Sequence, residues 1–491
     1  MLPWCIMATP CFILDMSMGK FLITVIFMLL SIDVQSQQIN EILDHEDLRY
    51  AQLSLSVRNV ESGELLQQHN GDILLIPASS LKLITTFSTL SAFGEGFRYR
   101  TTLGYQGKIL PDGTLDGDLV IIGSGDPSLA SPDEDVLSLE ELLKDITKTL
   151  KDSGIRCITG GIVVDGSIYD SEGIHHTWPW DDLTNYYASG AYGFNFRENY
   201  YDIVFRSSPT PGIPTELVSI SPDIGLTSFE NRAVSGPKGS GDNAYIYGDP
   251  YGYDRYVKGS IPPGRSSFEI YGAIPNPAIT FSELLKNYLL THEIKIDGEA
   301  VIRTEAPYTL KAYQSPALGQ LVKRANFESN NLYCEAFLKK LGARDQEKGV
   351  DFEDGVEAVY KYLDDIRVGR DGLTMMDGSG LSLKNRISTN FFTRFIAAIV
   401  KKENVQFVTN YLPSTGQIDT TLDRFMSDSA SKGHVWLKSG SLGGVLSYTG
   451  IIQTESGKWL TISLISNGHT VGNSKVRKHF AEIIDEVYLN N

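Results

Sequence analysis

The chain has 491 residues, 42% hydrophobic and 21% charged, which excludes a disordered protein and a multispan membrane protein and gives about three domains at roughly 150 residues each. Sixty acidic residues against 43 basic ones leave a formal charge of -17, which excludes a sequence-independent grip on nucleic acid. Four cysteines (Cys5, Cys11, Cys157, Cys334) with no Cys-x-x-Cys pair, and eight histidines with no His-Glu-x-x-His, offer neither a disulfide scaffold nor a zinc peptidase site.

Residues 21–32 are an apolar run broken only by Thr24 and Ser31, preceded by Lys20 and followed by Val34 and Ser36 at the spacing a signal peptidase reads. A run of twelve falls well short of the roughly 20 residues needed to cross a bilayer, so residues 1–36 read as a secretory signal and the mature chain begins near Gln37. Residues 1–17 carry Asp15 and no Lys or Arg, which puts the expected natural start at Met16 or Met18. Cys157 and Cys334 then remain; the exported compartment would permit one disulfide between them, and nothing in the sequence brings them together, so two separate buried thiols are expected. The alternation Leu53, Leu55, Val57 and the turn residues 61–64 before Leu65 predict two antiparallel strands. Leu83, Phe87, Leu90 and Phe93 make one helical stripe, with Pro77 before it and Gly94 just after it. From 99 to 276 strand-like runs alternate with many Gly, Pro, Asp, Tyr and Trp residues, the mark of a separate β-rich block, expected to form two subdomains. Helical periodicity resumes at 281–290, 318–341 and 390–400; strands at 436–438, 448–452 and 459–465 and a closing helix at 476–487 complete the chain. Strands at both ends around helical segments predict one α+β domain, residues 37–98 and 277–491, interrupted by an insertion at 99–276.

Ser79 and Lys82 open the first helix three residues apart, on one face and about one turn from each other. A serine hydroxyl becomes a nucleophile when a base takes its proton, and a lysine whose charge is disfavoured by burial and a neighbouring cation can be that base. The pattern also occurs by chance at residues 17–20 and 429–432. Ser329 and Asn331 sit where one helical pattern ends and the next begins, placing a second hydroxyl and an amide on a bend. Ser388-Thr389-Asn390 looks similar and reads only as a helix cap. Lys438, Ser439 and Gly440 lie on a predicted strand before the turn 441–444. A lysine and a hydroxyl beside a glycine that lets substrate approach the backbone make a carboxylate-binding edge.

Ser-x-x-Lys, Ser-x-Asn and Lys-Ser-Gly in this order resemble the penicillin-recognising serine enzymes. The 250 residues between Ser79 and Ser329, with Gly123-Ser124-Gly125-Asp126-Pro127, Trp178-Pro179-Trp180-Asp181-Asp182 and Asp377-Gly378-Ser379-Gly380, are most similar to the class C low-molecular-mass penicillin-binding proteins, the D-alanyl-D-alanine carboxypeptidase/endopeptidase family. The resemblance implies a β-lactamase/transpeptidase-like domain, an antiparallel sheet flanked by helices. It implies that Ser79 forms an acyl-enzyme with neutral Lys82 as base and Lys438 helping to keep it neutral, and that Ser329 passes the proton to the leaving amine. Asn331 would hold the acylated residue's amide, Lys438 and Ser439 the terminal carboxylate, and the N–H groups of Ser79 and Ser441 the oxyanion. Asp182 and Tyr187 would lie near the mouth of the site, where Asp182 could take the amino group of a diamino acid. No metal or cofactor is implied; the partners are peptidoglycan stem peptides and, as covalent inhibitors, β-lactams, in an exported, periplasmic protein with loose membrane attachment left open. A β-lactamase or esterase would use the same apparatus and deacylate quickly, and a non-catalytic wall-peptide binder predicts a broken motif, which none of the three is.

Overall fold

Leu53, Leu55 and Val57 are buried on one face of the strand Gln52–Asn59. In the computed structural model this strand pairs antiparallel with Trp459–Asn467, so the two ends of the chain meet in one sheet. The structure describes residues 38–132, 136–299, 307–344 and 348–491. The expected secretory signal, Cys5, Cys11 and the chance match at 17–20 lie outside the described residues.

The central sheet is five-stranded and antiparallel, in the order Val435–Leu442, Val445–Gln453, Trp459–Asn467, Gln52–Asn59, Leu65–His69. One face packs under the closing helix Asn473–Leu489 through Val476, Phe480, Ile483 and Val487. The helices Lys82–Phe93, Leu318–Phe327, Asn331–Gly342, Phe352–Asp365 and Thr389–Lys402 form the other core, which Ile451 and Ile465 join from the sheet. Covered on both sides, the sheet carries buried hydroxyls as well as apolar residues, and they are paired: Ser54 Oγ lies 2.7 Å from Thr389 Oγ1 and Ser56 Oγ 2.9 Å from Thr393 Oγ1. This is an α+β fold with helices flanking an antiparallel sheet.

The insertion has its own core. Its strand Arg100–Ile109 pairs on one side with Thr114–Ile122 and on the other with Tyr308–Gln314, so the chain leaves and returns on neighbouring strands. The expected return at residue 277 therefore comes too early. Phe281, Leu285 and Leu289 of the helix Pro277–Thr291 bury into the insertion's core rather than the central one. That core also receives Leu142, Ile146 and Leu150 from the helix Leu139–Asp152, in a stretch expected to be strands; its start is fixed by a capping box between Ser138 and Glu141. Two three-stranded sheets complete the insertion, and Tyr201, Ile203, Ala233 and Val257 from them share the same core, against the two subdomains expected. Cys334 is buried and Cys157 half-buried, and neither is in a disulfide. Among the described residues no helix is long and apolar enough to cross a membrane.

Candidate active site

Ala78 takes a left-handed backbone conformation (φ 48°), which turns the chain sharply before the 3-10 turn Ala78–Leu81 and leaves Ser79 partly exposed at its tip. The next residue clips that turn to the sheet: the buried Ser80 Oγ lies 2.7 Å from Ser447 Oγ and donates to the Lys438 carbonyl at 3.2 Å, while Ser447 Oγ donates to the Pro77 carbonyl at 2.6 Å. Gly440 is needed for this contact. A Cβ there would stand 2.6 Å from the Pro77 carbonyl oxygen and 2.8 Å from Ser79 N, so the glycine admits the turn that carries Ser79. It also brings the strand segment carrying Ser441 beside the Ser79 N–H.

Lys82 is fully buried. Its Nζ lies 2.9 Å from Ser79 Oγ, 2.6 Å from Asn331 Oδ1 and 2.8 Å from the Ser379 carbonyl oxygen. The last two can only accept, whereas the serine hydroxyl can donate. A neutral amine with two N–H groups on Asn331 and Ser379 and its lone pair toward the Ser79 proton is thus fully satisfied here. Burial holds the Lys82 pKa below its ordinary value, opposed by Cys334, Glu335 and Asp377. Lys438 beside it is likewise held well below the usual lysine range, by burial first and then by its neighbour Lys82.

Lys438 Nζ donates to Ser329 Oγ at 2.9 Å and to the Ser439 carbonyl at 2.7 Å. Ser329 occupies a left-handed position (φ 63°) between two helices, and the cap of the second is Asn330, whose Oδ1 accepts from Tyr333 N at 3.2 Å. The Ser329 hydroxyl is thereby spared for Lys438. Ser388, by contrast, is the cap it was expected to be, accepting from Phe391 N. Asn331 spans the cleft, with Oδ1 on Lys82 and Nδ2 donating to the Tyr187 carbonyl at 2.7 Å. Ser439 is half-buried and Ser441 exposed, its Oγ accepting from Asn473 Nδ2 at 2.8 Å.

The loop Asp377 to Ser382 closes the floor. Gly380 lies so near the turn carrying Ser79 that a Cβ would stand 1.9 Å from the Ala78 carbonyl oxygen, and the buried Asp377 accepts from Gly380 N, Ser382 N, Asn385 Nδ2 and Trp178 Nε1. Sequence reasoning marked this loop and Trp178 without assigning them a task, and passed over Glu335. Glu335 is a buried acid on a helix whose neighbours Leu332, Tyr333, Cys334, Ala336, Phe337 and Leu338 are all buried, and that break in an apolar run is the signal that could have found it. Its carboxylate accepts from Gly378 N at 2.7 Å and Ser379 N at 2.8 Å. From the insertion, Tyr187 Oη donates to Asp182 Oδ1 at 3.1 Å, which puts that pair beside Asn331. Burial raises the Asp182 pKa and the Tyr187 hydrogen bond opposes the rise. Among the described residues, two groups of potential metal-binding side chains, His45 with Asp47 and His479, and His175 with His176 and Glu353, include no residue of this cleft.

The profile of the D-Ala-D-Ala carboxypeptidase 3 (S13) family matches residues 35–487. The chain is 26% identical over 449 residues to the D-alanyl-D-alanine carboxypeptidase of Actinomadura sp. strain R39, covering 88% of this chain and 81% of the relative. It is 25% identical over 436 residues to the D-alanyl-D-alanine carboxypeptidase DacB of Haemophilus influenzae, covering 87% and 88%. The crystal structure of penicillin binding protein 4 (dacB) from Haemophilus influenzae superposes with a TM-score of 0.79 at 21% identity, covering 92% of this chain and 99% of that one.

Proposed function

We propose, from the premise that this chain belongs to the D-Ala-D-Ala carboxypeptidase 3 (S13) family and is a serine-type carboxypeptidase, that Ser79 is its nucleophile and Lys82 the base that activates it. The Ser79 oxygen bonds to the carbonyl carbon of the penultimate D-alanine as its proton passes to Lys82. The N–H groups of Ser79 and Ser441 hold the oxyanion, a device worth about 3 kcal/mol per donor. As the C–N bond breaks, the proton taken by Lys82 is passed through Ser329, held by Lys438, to the leaving amine, which leaves Lys82 neutral and Ser329 protonated again, and Lys438 and Ser439 hold the terminal carboxylate. Asn331 holds the amide of the acylated residue. Water then attacks the ester, Lys82 taking its proton and giving it to Ser79 Oγ as the acyl C–O bond breaks, which restores both residues.

The observation that carries this reading is the environment of Lys82: a fully buried amine with two obligate acceptors and one hydroxyl around it. Penicillin acylates the same serine in this reading, and a solved structure of the Haemophilus influenzae protein in complex with a β-lactam supports it. The substrates are peptidoglycan stem peptides met after export to the periplasm, with Asp182 and Tyr187 facing the diamino acid. A fluorescent penicillin should label the mature protein on Ser79, with slow release. Digestion of purified muropeptides weighed by mass spectrometry should show loss of terminal D-alanine or opened crosslinks. Rapid turnover of the penicillin with no change in the muropeptides would make it a β-lactamase instead.

A further inference from the structure

Glu335 lies four residues beyond Asn331 on one helix, so both project from the same face. Asn331 reaches Lys82 directly; Glu335 reaches it through one residue, Ser379, whose carbonyl belongs to the following peptide, the one whose Gly380 N–H is held by Asp377. One carboxylate oxygen accepts from Gly378 N at 2.7 Å and the other from Ser379 N at 2.8 Å, and the carbonyl of that same Ser379 accepts from Lys82 Nζ at 2.8 Å. Thr85 Oγ1 donates to the Gly378 carbonyl at 2.7 Å, so the residues either side of the 378–379 peptide are tethered to the nucleophile helix and to Glu335 at once. The backbone here has no slack: a Cβ on Gly378 would meet the Cys334 carbonyl oxygen at 2.5 Å. With Glu335 only 1% exposed, water offers the two N–H groups no replacement.

We propose that Glu335 is a positioning residue for acylation: it aims the Ser379 carbonyl at Lys82 and so keeps the lysine lone pair directed at the Ser79 hydroxyl. This rests on the reading of Ser79 and Lys82 given above. The charged and titratable groups facing Glu335 are Lys82 on the nucleophile helix, Asp377 on the loop, and Cys334 and Lys339 on its own helix. Burial, then Asp377, pushes its carboxyl up to about 8, opposed by the Ser379 and Gly378 N–H groups and by Lys82. Its negative form raises the Lys82 pKa.

Glu335→Gln keeps the shape but turns an NH2 toward one of the two N–H donors and removes the charge. The rate constant for penicillin acylation at saturating drug should fall about tenfold or more, while the binding constant before acylation stays within about twofold. Above about pH 8, where the wild-type carboxyl is ionised, losing the anion lowers the Lys82 pKa, so any part of the acylation limb lying there should move to lower pH. Glu335→Asp keeps the charge but is one methylene short; it should lose rate with the limb unmoved, and serves if the glutamine variant does not fold. Wild-type rate and an unmoved limb in Glu335→Gln, even with a lower melting temperature, overturn the proposal, as does a wild-type rate in Glu335→Asp. If the wild type itself fails to label on Ser79, the reading of the nucleophile has failed instead.

Discussion

Ser79-Ser80-Leu81-Lys82 opens a helix packed against the central sheet, whereas Ser429-Ala430-Ser431-Lys432 lies in the turns before the strand Val435–Leu442. Both match Ser-x-x-Lys. In the second, Lys432 is exposed and Ser429 Oγ donates to Asp485, which also accepts from Ser431 Oγ at 2.6 Å. There the serine proton is committed to a carboxylate and the lysine stands in water. In the first, the lysine is fully buried and the serine proton faces an amine whose charge is costly. The difference lies in what encloses the four residues: Asn331, the loop from Asp377, and, behind that loop, a tryptophan from the insertion.

The broadest way to break this comparison is to remove each serine. Ser79→Ala should abolish labelling by fluorescent penicillin while the protein stays folded, and Ser429→Ala should label like the wild type. Label mapping to Ser429, or persisting in folded Ser79→Ala, reverses the assignment. The lysines sharpen it. Lys82→Arg leaves a side chain that holds its proton at every working pH, so acylation should fall about a thousandfold, the contribution of a positioned base, with Lys432→Arg unchanged. Equal, mild losses in the two variants would mean that burial does not set them apart.

Much of the catalytic region was legible because its signals are local. The stripe Leu83, Phe87, Leu90 is buried in a helix enclosed on all sides from Lys82 to Leu90, and the first two motifs fall at helix starts, while Lys438, Ser439 and Gly440 lie inside the strand Val435–Leu442, which runs on through Ser441 where a turn was expected. What was illegible depends on contacts distant in sequence. Gly440 is a glycine because of Pro77 and Ser79, more than 360 residues earlier, so its reason could not be read beside it. The stripe Phe281, Leu285, Leu289 announces a helix but not which of two cores it fills. The helices Leu139–Asp152 and Phe352–Asp365 were passed over although each begins with a capping box, Ser138 with Glu141 and Asp351 with Asp354. Trp178 and Asp377 carried no visible link across 199 residues.

A third test asks whether the insertion adds specificity to the enclosed serine. The Asp182–Tyr187 pair joins the cleft through the Asn331 hydrogen bond to the Tyr187 carbonyl. Asp182→Asn should lower turnover of diamino-acid-containing muropeptides about tenfold, the worth of one charge-assisted hydrogen bond, with penicillin acylation unchanged. If both rates fall together, or neither moves, Asp182 only braces its corner and the enclosure contributes no substrate choice.

The smallest expected effect is at the insertion's anchor. Trp178 is buried, and its indole Nε1 donates to Asp377 at 2.9 Å while its ring meets Phe352 edge-on at 6.2 Å. Trp178→Phe keeps most of the ring packing and removes the N–H. Asp377 retains Gly380 N, Ser382 N and Asn385 Nδ2, so the loop keeps three of its four ties and the Ser379 carbonyl should stay on Lys82. Stability should drop by about 2 kcal/mol, the contribution of a buried hydrogen bond to a charged group, and acylation should slow by no more than about threefold. Denaturant unfolding and the labelling rate measured on the same variant separate the two. An acylation loss approaching that of Lys82→Arg would place the tryptophan within the geometry that orients the base, while unchanged stability would mean that the insertion does not hold the loop and that the central domain encloses Lys82 unaided.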